Sequence, residues 1–212
     1  MSKRGKLLFK YGTMNSGKSL HLLATAHNFD EHSIPFIIFK SIIDTRDGSN
    51  IIHSRALGDR TCVTIDEKDN LYRIVASYFD SLYYTGYEYP KWILVDEAQF
   101  LTCKQVEELA AIADNFGLSI ICYGLRTDFQ TNLFEGSKRL FELADSFEEI
   151  KTSCSCNHKT IVNARMNNDR EIITDGKQID IGGNEKYVSM CRKCYFSKTG
   201  HYLYNEKENN LD

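Results

Sequence analysis

Gly12-Thr13-Met14-Asn15-Ser16-Gly17-Lys18-Ser19 satisfies every fixed position of the pattern G-x-x-x-x-G-K-[ST]. Glycines let a backbone fold around phosphate oxygens and aim N–H groups at them. Lys18 supplies a cation for the outer phosphates and Ser19 offers a hydroxyl to Mg²⁺. The helix that must follow presents its positive N-terminal end. This octapeptide predicts nucleoside triphosphate binding without selecting a reaction. A second constellation, Asp96-Glu97, closes the apolar run Trp92-Ile93-Leu94-Val95. In a phosphate-loop protein the carboxyl ends of the strands face the nucleotide, so both acids are expected near the γ-phosphate. One can hold Mg²⁺ and the other can orient a nucleophile and accept its proton. No Asn-Lys-x-Asp guanine-reading motif occurs, which counts against a GTPase and leaves ATPase and small-molecule kinase open.

The third constellation is made of thiols. Of the 7 Cys, Cys62, Cys103 and Cys122 are scattered, whereas Cys154, Cys156, Cys191 and Cys194 form two close pairs. Cys191-x-x-Cys194 has the spacing by which two thiolates grip one Zn²⁺ tetrahedrally. Without an export signal, paired Cys point to metal ligands more than to disulfides. The set Cys154, Cys156, Cys191 and Cys194 is expected to bind zinc, with His158 or His201 as alternatives to Cys154. Four protein ligands leave no open position, so this zinc is structural.

These groups need a scaffold. Lys6 to Tyr11, Pro35 to Phe39, Val63 to Ile65, Trp92 to Val95 and Ser119 to Tyr123 read as short apolar strands, the last ended by Gly124. Helical periodicity follows in Lys18 to Phe29 (Leu20, Leu23, Ala24), in Leu71 to Leu82, after the capping box Thr102/Gln105, and through Arg139 to Leu143. The stretch from Lys40 to Arg60 is polar and is expected to be a loop. Strands apolar on both faces, separated by helices, imply α/β architecture: a RecA-like parallel sheet with helices on both faces. After Ile150 the texture changes to Cys pairs, short β-like runs and a Gly-rich loop. The expected division is 1–150 for the nucleotide-binding domain, 151–204 for a small zinc-binding domain, and 205–212 for a disordered polar tail.

The composition agrees with such a chain. With 212 residues, 42% hydrophobic and 26% charged, a sizeable core can be buried. Lys and Arg total 26 against 29 Asp and Glu, a net charge of −3, which lacks the basic field of a dedicated nucleic-acid binder. No apolar run approaches the roughly 20 residues of a membrane span. No signal peptide is apparent, so the expectation is a soluble, cytoplasmic protein with no nucleic-acid or membrane partner. The cluster Tyr83-Tyr84-Thr85-Gly86-Tyr87-Glu88-Tyr89 lacks interleaved Lys or Arg and is read as a loop packed on the sheet or a subunit.

Several segments together resemble the cytosolic-type (type II) thymidine kinases, a family that carries a zinc-binding lasso domain. They are the phosphate loop, Asp44-Thr45-Arg46, Asp96-Glu97-Ala98-Gln99-Phe100, Gly124-Leu125-Arg126-Thr127-Asp128-Phe129, and Gly182-Gly183 with Tyr187 before Cys191-Arg192-Lys193-Cys194-Tyr195. The resemblance implies transfer of the γ-phosphate of ATP to the 5′-hydroxyl of thymidine or deoxyuridine. It implies Glu97 as general base, Asp96 and Ser19 at Mg²⁺, and Asp44, Arg46 and Gln99 at the nucleotide. Met14, Phe100, Leu125, Phe129, Phe134 and Tyr187 would build the nucleoside pocket, and Gln178, Ile179, Asp180, Ile181 and Gly182 would lie along the base. A homotetramer and feedback inhibition by thymidine triphosphate (dTTP) are implied as well. One departure stands out: the family pattern at the first Cys pair is C-x-x-C, and here Ser153 occupies the place of its first Cys. The competing readings are a phosphate-loop kinase or ATPase acting on another small hydroxyl compound, and a zinc-ribbon nucleic-acid-binding ATPase.

Overall fold

The computed structural model describes residues 4–44, 50–54, 57–180, 182 and 185–200. Six strands, β1 (Leu7–Gly12), β2 (Phe36–Ser41), β5 (Val63–Ile65), β6 (Trp92–Asp96), β7 (Ser119–Leu125) and β8 (Ser146–Ile150), form one sheet. Their order is β5-β2-β6-β7-β1-β8, and every pairing is parallel. Parallel neighbours need crossovers, which the helices α1 (Lys18–Glu31), α2 (Leu71–Thr85), α3 (Cys103–Phe116) and α4 (Glu135–Leu143) supply for every step along the chain except that from β2 to β5. Apolar clusters lie on both faces. Phe9, Val95, Ile120 and Cys122 pack against α2, α3 and α4 on one, and Ile38, Leu94, Ile121 and Tyr123 against α1 on the other. The α/β expectation therefore holds. Thr102 caps α3 in a complete capping box with Gln105.

Five features differ from what the sequence predicts. The 40–60 stretch is not a loop throughout. Lys40 and Ser41 complete β2, and an antiparallel hairpin joins β3 (Ile51–Ser54) to β4 (Gly58–Thr61). Ile52 is the apolar anchor of that hairpin, buried beside Leu22 and Ala26. On α1 the buried face is Leu22, Leu23 and Ala26. Leu20 and Ala24 face outward, because a short apolar list cannot fix the phase of a helix. Gly124 does not end β7, which continues to Leu125. Strand β8 was unseen because Ser-Phe-Glu-Glu-Ile is a polar edge strand paired only with β1. Tyr83 and Tyr84 belong to the last turn of α2 and are exposed, as is Tyr87, while Tyr89 rests on Phe79 at 4.9 Å between ring centroids.

Past Ile150 a small antiparallel sheet, β10 (Ile172–Ile173), β9 (Val162–Met166) and β11 (Tyr187–Met190) in that order, precedes α5 (Arg192–Thr199). Val162, Ala164, Met190 and Tyr195 share a core there with Cys154 and Cys191. Among the described residues no helix is long and apolar enough to cross a membrane.

Candidate active site

The carboxyl ends of β1, β2, β6 and β7 open on one rim of the parallel sheet, where ligands of open α/β folds bind. A cavity of about 530 Å³ lies there. The turn after β1 is built by close approach. A Cβ at Gly12 would lie 2.4 Å from Ser16 Oγ and 2.7 Å from the Ile150 carbonyl oxygen, and Gly17 adopts φ +85° before α1 begins. Lys18, 8% exposed, curls its ammonium back to donate to the Thr13 carbonyl at 2.9 Å. Ser16 Oγ is buried with no partner among the described residues, an orphan that a phosphate oxygen would satisfy. Ser19 Oγ donates to Asp96 Oδ2 at 3.2 Å. That contact joins the phosphate loop on β1 to the acids on β6 across the intervening β7.

Consecutive strand residues point to opposite faces, so Asp96 and Glu97 would diverge if β6 simply continued. The chain instead places Glu97 in the left-handed region, φ 51° and ψ 40°. Both carboxylates consequently line the cavity. Such a conformation costs a non-glycine residue on the order of 1–3 kcal/mol and persists where surrounding contacts over-determine it. Gln99 supplies one of those contacts by donating its amide to Glu97 Oε2. Its carbonyl end accepts from the Leu125 N–H at 2.9 Å. The two acids are buried together, and Asp96 responds. Burial, then the neighbouring Glu97 charge, raise its pKa from 3.8 to about 7, against the lowering pull of the Glu97 N–H, Lys18 and Ser19. A protein cavity that strains two carboxylates in this way is poised for a cation.

Met14, Asn15, Gly17, Lys18, Ser19, Asp44, Asp96, Glu97 and Gln99 line this end of the cavity. Asp44 is held by Lys40, a fully buried lysine 3.4 Å away that also donates to the Ile51 carbonyl at 2.9 Å. Gly12, Thr13 and Ser16 stand behind the lining. Arg46 and Ile181 lie outside the described residues, as does His201. The other end of the cavity gathers Phe100, Leu125, Phe129, Phe134, Gln178, Ile179, Asp180, Gly182 and Tyr187. Phe134 is both wall and packing: it is 6% exposed and meets Phe100 edge-on at 5.9 Å.

Sequence reasoning missed the side chains that join the two ends. Asn163 accepts from the Met14 N–H at 2.7 Å and donates to the Thr127 carbonyl at 3.0 Å. Ser189 donates to the Met14 carbonyl at 2.6 Å, and the Thr13 and Thr160 hydroxyls meet at 2.9 Å. The phosphate loop is thus bolted to the small sheet. The available signal was alternation in Val162-Asn163-Ala164-Arg165-Met166: Val162 and Ala164 face the small core, which sends Asn163 and Arg165 to the opposite side. Leu20, His53, Thr127 and Asp128 also line the cavity.

The thiol cluster satisfies the geometry of a metal site. The sulfurs of Cys154, Cys156, Cys191 and Cys194 all lie within 4.8 Å of one another. Tetrahedral zinc, at about 2.3 Å from each sulfur, needs sulfurs about 3.8 Å apart. A tight turn makes the C-x-C spacing workable, with Cys154 N–H bonded to the His158 carbonyl at 2.8 Å and Asn157 at φ +65°. Ser153 pairs instead with Lys159 in a β-bridge. His158 stays outside the cluster, its Nδ1 3.4 Å from the Cys156 sulfur.

The thymidine kinase family profile matches residues 5–195. A thymidine kinase of Streptococcus pyogenes serotype M3 is 42% identical over 193 residues, covering 91% of this chain and 97% of that protein. A thymidine kinase of Mannheimia succiniciproducens is 41% identical over 195 residues, covering 92% and 97%. Alignment over nearly the full length of both chains, added to the phosphate loop, the paired acids and the four thiols, shows that this chain belongs to the thymidine kinase family.

Proposed function

We propose that the protein transfers the γ-phosphate of ATP to the 5′-hydroxyl of thymidine, and also of deoxyuridine, in pyrimidine deoxynucleotide salvage. One observation carries this reading for the chain itself. A single cavity holds a triphosphate cradle at one end, two carboxylates in the middle and an aromatic slot at the other. Phosphoryl transfer has a loose transition state, so positioning and charge neutralisation dominate over covalent chemistry. Lys18 and the Gly12–Ser19 backbone hold the donor phosphates, with Asp44 beside them; a phosphate role for Arg46 rests on the family resemblance alone. Ser19 and Asp96 would hold Mg²⁺, which when bound would supply charge neutralisation at the phosphate oxygens. Glu97 orients the 5′-hydroxyl and takes its proton. Gln99, expected at the nucleotide, spends both ends of its amide on Glu97 and Leu125 and therefore keeps the base aimed.

Phe100, Phe129 and Phe134 enclose a flat, neutral base, and Gln178, Ile179, Asp180 and Gly182 with Tyr187 close over it. Cys154, Cys156, Cys191 and Cys194 hold structural Zn²⁺, the staple for a module of residues 151–204 too small to be stable on its apolar core alone. Residues 1–150 form the nucleotide-binding domain. Cytoplasmic localisation, a homotetramer and feedback inhibition by dTTP complete the reading on the strength of the family resemblance. The test is ADP formation by the full-length chain with thymidine, with DNA and with neither. Stimulation by thymidine alone supports the proposal. Stimulation by DNA, or ADP formation indifferent to thymidine, refutes it.

A further inference from the structure

Strand β9 carries a second polar side chain, Arg165, to the back of the cavity wall, against Phe129. Arg165 is 4% exposed, so its charge must be satisfied inside the protein. Its hydrogen bonds go to neutral oxygens. Nε donates to Tyr187 Oη at 3.0 Å, Nη1 to the Lys177 carbonyl at 2.8 Å and Nη2 to the Gln178 carbonyl at 3.2 Å. The guanidinium carbon lies 3.9 Å from the centroid of the Phe129 ring and 5.4 Å from that of Tyr187. The Tyr187 hydroxyl passes the connection on, donating to the Asp180 carbonyl at 2.7 Å. One side chain therefore touches an aromatic wall of the cavity and, directly or through Tyr187, three carbonyls of the loop that closes it.

We infer that Arg165 is the positioning residue of this loop, fixing which edge of the 177–180 backbone faces the nucleoside. This rests on the proposed function, in which the loop's ligand is a pyrimidine deoxynucleoside. In a trans peptide the C=O and N–H point in opposite directions. With the Lys177 and Gln178 carbonyls turned to the guanidinium, the N–H groups of Gln178 and Ile179 are turned away from it. Gln178 and Ile179 line the cavity, so the donors on offer there are backbone N–H groups, matched to the ring carbonyl oxygens of a pyrimidine. A lysine could not substitute. The planar fork reaches two successive carbonyls while lying over a ring, whereas an ammonium is a point charge on a flexible stem.

The experiment uses the full-length, zinc-loaded chain and the variants R165K and Y187F, with thymidine and ATP varied separately. For R165K, thymidine KM should rise about 10- to 100-fold while kcat and ATP KM stay within about twofold. Amide hydrogen exchange in residues 174–182 should accelerate without ligand while exchange in the parallel sheet is unchanged. Y187F should raise thymidine KM about 3- to 10-fold, and R165K/Y187F should be no worse than R165K alone, because both act on one relay. If R165K does not fold, Y187F and its loop exchange carry the test. An unchanged thymidine KM, or ATP and thymidine KM rising together, overturns the inference. A wild-type chain inactive on thymidine removes the functional reading and the inference with it. An active wild type with an indifferent R165K overturns the inference alone.

Discussion

The two ends of the cavity are made differently. At the end proposed for the triphosphate, acidic side chains stand at or just past the ends of strands of the six-stranded parallel sheet, and each is pinned by a neighbour: Asp96 by Ser19, Glu97 by Gln99, Asp44 by Lys40. At the end proposed for the nucleoside, main-chain carbonyls of 177–180 hang from Arg165 and Tyr187 on a three-stranded sheet beside four clustered thiols. A triphosphate offers charge, which side chains grip well. A neutral base offers a flat face and a hydrogen-bonding edge, which ring faces and backbone read well. Chemistry at the first end should thus fail by losing turnover, and at the second by losing affinity.

The largest separation should come from Glu97→Gln. Nucleotide and thymidine binding persist while kcat falls roughly 10²–10⁴-fold; wild-type turnover in this variant would remove Glu97 from its role. On the other side, Cys191→Ser should empty the metal site and raise thymidine KM about 10- to 100-fold, an effect of the size found when metal-site support is lost. Metal content and KM measured on the same sample check this, and thymidine affinity unchanged at zero metal would break the link between zinc and loop. Asn163→Ala blurs the two ends on purpose. Losing its bonds to Met14 and Thr127, each worth about 1 kcal/mol or about fivefold, should raise KM for both substrates, showing that the small sheet also steadies the phosphate loop.

The smallest effect is on stability and involves Asp96. Its native pKa of about 7 exceeds the ordinary 3.8 because of burial and the Glu97 charge. Between these values the native state binds more protons than the unfolded one, so its contribution to stability falls as pH rises from about 4 to about 7 and is flat above. In thermal unfolding of the nucleotide-free protein, Asp96→Asn should remove this fall and gain most over wild type above pH 7. Parallel curves for the two proteins would show that Asp96 ionises normally.

Legibility in the sequence followed the same division. The phosphate loop, Asp96-Glu97 and the Cys pairs are dense in chemistry-bearing residues at fixed spacings, and the apolar strands of the sheet are long enough to stand out. The left-handed turn at Glu97 that brings two adjacent acids into one cavity has no such signature. Nor has a buried Lys40, whose side chain in sequence looks like the start of a polar loop. Hairpin β3–β4 rests on one apolar anchor, Ile52, and β8 on one edge pairing, too little for a periodicity. Asn163 and Arg165 were overlooked because polar residues in a short strand read as a solvated face, and only the core on the other side of β9 reverses that.

In the proposed reaction this cavity delivers phosphate to one particular hydroxyl. The decisive experiment incubates the chain with Mg²⁺-ATP and either thymidine or 5′-deoxythymidine and identifies the products by ³¹P NMR. Thymidine 5′-monophosphate from the first and no phosphorylated nucleoside from the second is the predicted result. Phosphate appearing on both compounds, or on neither while ADP accumulates, would contradict it.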